Sequence, residues 1–95
     1  MDKEKVLEQL MQVEDPELGI DIVTLGLIYE VKINKKEVDI LMTLTFPGCP
    51  FGPMIKQNMT DVLEAYFEKI EINITFDPPW SAEKIDPDIR AALGI

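Results

Sequence analysis

The sequence predicts an α+β protein, a two-layer sandwich in which helices cover one face of a small, mostly antiparallel three-stranded sheet. Its 95 residues, 46% hydrophobic and 28% charged, suit a single domain, residues 1–95, with one apolar core. Apolar residues recur at helix and strand periods in the order α-β-β-α-β-α. Each predicted strand has one markedly more apolar face, so we expect the sheet to bury one side only.

Apolar spacing and end signals predict three helices. They cover Lys3–Val13, Pro53 to about Phe67, and Pro87 to just before Gly94. Asp2 is placed to cap the first helix, which must end before Pro16 because a residue preceding proline disfavours helical geometry. Asp86 as cap, Pro87 at the first helical position and Gly94 past the end define the last helix.

Period-two alternation predicts three strands, Leu27–Ile33, Val38–Thr45 and Glu71–Phe76. The polar loop 34–37 joins the first two as a hairpin, which makes them antiparallel. A helical crossover returns the chain to the third strand, which must therefore run parallel to the second. This topology brings the start of the first strand and the ends of the other two to one rim of the sheet.

The segments that meet at this rim are irregular and carry unusual residues. Ligands of sheets with helical crossovers often bind beyond the carboxyl ends of the strands. We therefore take the rim as the candidate functional site. Its members are Asp15, Glu17, Asp21, Thr45, Pro47, Gly48, Cys49, Pro50 and Trp80.

Composition excludes several classes of function. Nine Lys and Arg against 18 Asp and Glu give a net charge of −9, which disfavours nucleic acid as a partner. With no cationic amphipathic helix and no apolar run near ~20 residues, a membrane is not expected either. The absence of histidine removes Ser-His-Asp and Cys-His catalysis, and one cysteine removes intrachain disulfides and CxxC metal sites. No secretory pattern begins the sequence, so we expect a cytoplasmic protein.

Cys49 is the soft nucleophile or metal ligand of the rim. It precedes a predicted helix start, where the dipole favours a thiolate, while Glu17 and Asp21 would oppose that charge. The alternative is a buried structural cysteine that acts as a small apolar side chain. The rigid Pro-Gly-Cys-Pro setting is a shape that a merely buried cysteine does not need.

The other rim residues also have two interpretations. The acidic residues Asp15, Glu17 and Asp21 could bind a hard cation or act as acid and base, or could serve turns and caps. Thr45 could hydrogen-bond a ligand or be an ordinary sheet residue. Trp80 could anchor a partner or cover the edge of the core.

Taken together, the motifs resemble one family. They are Asp15-Pro16-Glu17, Asp21-Ile22-Val23, Leu25-Gly26-Leu27-Ile28-Tyr29, Thr43-Leu44-Thr45, Pro47-Gly48-Cys49-Pro50, Pro78-Pro79-Trp80 and Leu93-Gly94. In this order and spacing they resemble the domain of unknown function 59 family, which includes SufT-like and PaaD-like proteins and the eukaryotic cytosolic iron–sulfur targeting factors. The resemblance covers essentially the whole chain.

The resemblance implies a fold similar to the C-terminal NifU-like assembly domain and a role in the maturation of iron–sulfur proteins. It implies that Cys49 is the reactive residue, with Asp15, Glu17, Asp21, Thr45 and Trp80 as its motif neighbours. The chain lacks the cysteine-rich C-terminal segment of PaaD-like members and the CxxC of NifU-like scaffolds.

Stoichiometry then constrains the mechanism. Common iron–sulfur clusters take four thiolates, and one chain offers one. Cys49 is the expected metal ligand, and a transient cluster or iron ion bound to it must therefore be shared. The other ligands would come from a second subunit in a homodimer, from a client or from a small thiol. The sequence predicts a non-enzymatic adaptor or transfer factor whose partners are the assembly machinery and client apoproteins. The alternatives are an interaction module with a structural cysteine and a thiol enzyme that lacks a histidine base.

Overall fold

The computed structural model describes residues 1–94, which form three helices and five strands. They are α1 Lys3–Leu10, β1 Glu14–Asp15, β2 Ile20–Asp21, β3 Ile28–Asn34, β4 Glu37–Met42, α2 Gly52–Leu63, β5 Lys69–Ile74 and α3 Pro87–Leu93, with a 3₁₀ turn at Ala82–Lys84. The longer elements follow the predicted order. None of the described helices is long and apolar enough to cross a bilayer.

The main sheet has the strand order β3-β4-β5. The hairpin pair β3 and β4 is antiparallel, and β4 and β5 are parallel with Ile40 opposite Ile72. The predicted α+β class and the parallel course of the third strand are confirmed. The sheet is evenly mixed where mostly antiparallel pairing was expected, because the crossover places β5 beside β4 instead of beside β3.

One face of the sheet carries the core. In β4, Val38, Ile40 and Met42 are buried, while Asp39 between them is exposed. The helices α1 and α2 pack on the buried face. Their buried residues, and those of the loops that close this layer, are Val6, Leu10, Val13, Ile22, Leu25, Leu27, Ile55, Met59 and Leu63. Each such side chain contributes about 1.5–3 kcal/mol by leaving water.

Several element ends differ from the predicted ones. Helix α1 stops at Leu10, whose carbonyl accepts the N–H of Val13, and the carbonyl of Val13 then accepts the N–H of Ile22. Helix α2 ends at Leu63, earlier than predicted. Strand β5 starts at Lys69, where the N–H groups of Glu68 and Lys69 both donate to the carbonyl of Lys36, and it ends at Ile74, before Phe76.

The chain before β3 extends the sheet at one end. Strands β1 and β2 form a small antiparallel hairpin where a loop was predicted. The N–H of Leu27 donates to Ile22, and the N–H of Thr43 donates to Leu27. On the other side of β4, the N–H of Thr75 donates to Met42. The start of β3 and the ends of β4 and β5 therefore lie at the same end of the sheet.

Candidate functional site

Cys49 is held by two consecutive turns that share it. Its N–H donates to the carbonyl of Phe46 at 3.2 Å, and its own carbonyl accepts the N–H of Gly52 at 3.4 Å. Pro47 and Pro50 each take the second position of a turn, where a fixed φ near −65° is favourable. Phe51, at the third position of the second turn, has φ −93° and ψ 0°, which are type I values. The double turn therefore places Cys49 rigidly at the entrance to α2.

Cys49 is among the residues that line a surface pocket of about 370 Å³, which we call the Cys49 pocket. Its lining comes from the double turn, the first turn of α2 and the ends of β4 and β5: Leu44, Pro47, Gly48, Cys49, Gly52, Pro53, Lys56, Ile74 and Phe76. Cys49 is buried, with 9% of its surface exposed, and belongs to the hydrophobic core. The pocket is an apolar cleft that combines one sulfur atom with one cationic side chain.

The acidic residues lie outside the Cys49 pocket and serve turns. The Oδ1 atom of Asp15 accepts the N–H groups of Glu17 at 2.8 Å and Leu18 at 3.2 Å. The Oδ2 atom of Asp21 accepts the N–H groups of Val23 and Thr24 at 3.1 and 2.9 Å. Glu17 itself is exposed. Among the described residues, no group of three His, Cys, Asp or Glu side chains is arranged to hold a metal ion.

Two buried oxygen atoms of the rim have no hydrogen-bond partner among the described residues. They are Oδ2 of Asp15, a residue that is fully buried, and Oγ1 of Thr45. Leaving a buried polar atom unpaired costs about 1–3 kcal/mol, so such atoms are rare in folded proteins. Either oxygen can accept a hydrogen bond from a bound group, and the Thr45 hydroxyl can also donate one.

Trp80 belongs to a contact that we call the tail clamp, made by Leu25, Gly26 and Tyr29 with Pro78, Trp80 and Lys84. The indole Nε1–H of Trp80 donates to the carbonyl of Leu25 at 2.6 Å, and its ring packs against the core. The hydroxyl of Tyr29 donates to Pro78 at 2.8 Å, and Lys84 Nζ lies 4.9 Å from the Tyr29 ring centroid. The clamp fastens the C-terminal segment to the start of β3.

The rim therefore has two sides. Of the nine candidate residues, Pro47, Gly48 and Cys49 line the Cys49 pocket, and Pro50 shapes its turn. Asp15, Glu17, Asp21 and Trp80 do not line it and lie in the segments before β3 and after β5. Thr45, which follows β4, does not line it either. Gly48 needs no positive φ, because the first turn is not of the type that requires one.

Sequence reasoning missed six pocket residues, which are Leu44, Gly52, Pro53, Lys56, Ile74 and Phe76. Phe76 was expected to be the last residue of the third strand, but β5 ends at Ile74 and the side chain of Phe76 is 40% exposed. The parallel register could have revealed two of them, because Met42 opposite Ile74 implies that Leu44 and Phe76 leave the sheet side by side. Lys56 lies one helical turn into α2.

The chain belongs to the family described as iron-sulfur cluster assembly protein, whose model matches residues 3–74. It is 42% identical to the Fe-S protein maturation auxiliary factor YitW of Bacillus subtilis (strain 168), over 98% of this chain and 94% of that protein. It is 43% identical to the Fe-S protein maturation auxiliary factor SufT of Staphylococcus aureus (strain USA300), over 85% of this chain and 96% of that protein.

Solved structures agree with this family. A crystal structure of a domain of unknown function DUF59 from Bacillus anthracis matches with a TM-score of 0.91 and 39% identity, over 98% of this chain and 92% of that one. A conserved hypothetical protein from Thermotoga maritima matches with a TM-score of 0.86 and 39% identity, over 100% and 96%. The resemblance and the fold expected from the sequence are confirmed. The curated relatives are named as auxiliary factors, which also confirms the expectation of a non-enzymatic protein.

Proposed function

We propose that this protein is an iron–sulfur protein maturation factor in which Cys49 contacts iron or a cluster transiently while the cargo passes to a client apoprotein. Family membership supports the general role in iron–sulfur maturation. The observation that carries the thiol mechanism is the double turn, which fixes Cys49 in the wall of an open pocket. A merely structural cysteine needs neither the two prolines nor the cleft.

The cargo is shared, because one chain supplies too few ligands. Cys49 is the chain's single cysteine, whereas common clusters take four thiolates. The remaining ligands come from a second copy of the chain, a client or a small thiol. Incomplete ligation suits a transfer factor, since a client that supplies more thiolates can take the cargo.

Partners dock on the apolar side chains that flank the Cys49 pocket. Phe46 in the first turn, Met54 in the first turn of α2 and Phe76 after β5 are 40%, 43% and 40% exposed. Exposed apolar groups clustered around a cleft are typical of interaction sites. Docking there, and not at the half-buried Trp80, would exclude water from the thiol during transfer.

The test is client maturation in cells that depend on this protein. We expect Cys49→Ser to lower the activity of an iron–sulfur client at least about tenfold at unchanged protein level, since it exchanges sulfur for oxygen with little change in size. Val38→Ala serves as the control, because Val38 is buried at the opposite end of β4 and its loss destabilises the fold without touching the pocket.

The two variants separate mechanism from stability. Val38→Ala should preserve client activity per folded molecule, although its urea midpoint falls. Unchanged client activity with Cys49→Ser would reject the thiol mechanism and leave only the family role.

A further inference from the structure

Lys56 is the charged side chain of the Cys49 pocket. Within the described residues it forms no ion pair, whereas Lys32 pairs with Glu30 and Lys36 with Glu68 at the hairpin end of the sheet. Lys84 is engaged by the ring of Tyr29 in the tail clamp. Lys56, the cation of the Cys49 pocket, therefore has no ion-pair partner among the described residues.

The surroundings of this cation are otherwise acidic or apolar. The chain carries a net charge of −9, so its long-range field repels anions. The remaining lining of the pocket is apolar side chains, glycine and the thiol. Gly52 and Pro53 also line the pocket, so the start of the 12-residue helix α2 forms part of its wall, and the positive end of the helix dipole adds to the charge of Lys56. The Cys49 pocket is a local exception on an anionic protein.

We infer that Lys56 is a positioning residue that attracts an anionic sulfur-bound ligand to Cys49; the inference rests on the proposed function. Iron–sulfide clusters ligated by thiolates carry net negative charge, because thiolates and sulfides outweigh the iron. Without Lys56, only the dipole of α2 would oppose the repulsion that the net charge of −9 exerts on such a ligand. Lys56 offsets that repulsion within the pocket that Cys49 lines.

The experiment compares two aromatic disulfides that react with Cys49 by the same step. The thiolate attacks the reagent disulfide, forms a mixed disulfide and releases a coloured thiol. Dithiobis(nitrobenzoate) is a dianion and dithiodipyridine is neutral. The ratio of the rate constants for the anionic and the neutral reagent measures how strongly the protein attracts a negatively charged reagent. The exposure of Cys49 and its thiolate fraction affect both rates alike and cancel in the ratio.

We expect Lys56→Gln to lower the anionic-to-neutral rate ratio about three- to tenfold at low salt, because removing one positive charge from the pocket weakens the attraction of a dianion. Lys56→Arg should retain the ratio. The control is Lys5→Gln, which removes the same charge from the exposed face of α1 and should leave the ratio unchanged. Raising ionic strength to about 0.5 M should shrink the effect of Lys56→Gln, since screening shortens the reach of the charge.

The outcomes separate this inference from the proposed function. An equal ratio in Lys56→Gln and wild type overturns the role of Lys56 and leaves the thiol mechanism standing. If neither reagent labels the native wild-type protein, Cys49 is closed to ligands, and both the role of Lys56 and the proposed thiol mechanism are overturned.

Discussion

On the side of the rim before β3, the carboxylates of Asp15 and Asp21 and the indole of Trp80 bond to nearby backbone groups. On the side of α2 and β5, the thiol of Cys49 and the ammonium group of Lys56 line a pocket and have no such partners among the described residues. Both sides are rich in the family's motif residues. Most polar groups of the first side are paired, whereas Lys56 and Cys49 on the second side line a pocket.

This difference shows that a motif residue can contribute by holding the surrounding turns in place. Asp15 and Asp21 each tie down two N–H groups that would otherwise be unpaired in tight turns. The tail clamp then holds the C-terminal segment across the start of β3. We expect substitutions on this side to reduce stability first, and substitutions around the Cys49 pocket to reduce function first.

The largest effect on stability is expected for Gly26→Ala. Gly26 has φ +77°, and an added Cβ would lie 2.9 Å from both the Cβ and the carbonyl oxygen of Lys84. A left-handed alanine costs about 1–2 kcal/mol, and displacing the tail clamp adds to it, so we expect about 2–4 kcal/mol in urea unfolding.

Gly19→Ala is the matched control for this clash. Gly19 has φ +69° but open space around its Cα, so only the backbone cost of about 1 kcal/mol should remain. Equal losses for the two variants would show that the contact with Lys84 contributes nothing to stability.

The next effect concerns Asp15. Asp15→Ala removes the acceptor of two backbone N–H groups in a buried turn, for which we expect about 2 kcal/mol of destabilisation. Asp15→Asn keeps an Oδ1 acceptor and changes only the unpaired Oδ2, so its stability should lie within about 1 kcal/mol of wild type.

Client maturation is a second measurement for the variants Asp15→Ala and Asp15→Asn. Normal client activity with Asp15→Asn would assign Asp15 to the fold alone. A loss of client activity at normal urea midpoint would instead show that Oδ2 accepts a hydrogen bond from a bound group.

Most of the fold could be predicted from the sequence, because it follows from local periodicity and end signals. Asp86 bonds to the N–H of Asp88, Pro87 opens α3, and Gly94 ends it in a left-handed conformation, as the sequence indicates. The parallel course of β5 follows from the single helical crossover. These features depend on neighbours within a few residues or on chain connectivity.

The rest depends on contacts that no local pattern contains. The register shift between Ile28 and Glu30 frees Tyr29 from the strand alternation, and its partner Pro78 is 49 residues away in the sequence. Trp80 and its hydrogen-bond partner Leu25 are likewise far apart in the sequence, by 55 residues. The rim was predictable from topology, but its division into two sides depends on these long-range contacts.

A smaller loss is expected for Trp80→Phe. Phenylalanine retains most of the packing but leaves the carbonyl of Leu25 without the indole N–H, which costs about 1 kcal/mol. Because Trp80 is the single tryptophan, unfolding is followed by circular dichroism. Client maturation should remain normal where the variant is folded. Loss of client maturation at wild-type stability would instead show that Trp80 anchors a partner, which is one of the two interpretations of Trp80 drawn from the sequence.

The smallest change in stability is expected for Phe76→Ser, which should cost about 0.5 kcal/mol because the ring is already 40% exposed. The same variant removes an apolar wall of the Cys49 pocket, so client maturation should fall although the fold is intact. Tyr66→Ser is the matched control, since Tyr66 is 48% exposed and lies after α2, outside the pocket lining. If both variants mature clients equally well, partners do not dock at Phe76. A deficit confined to Phe76→Ser would instead show that the open side of the rim meets the partner through its apolar wall.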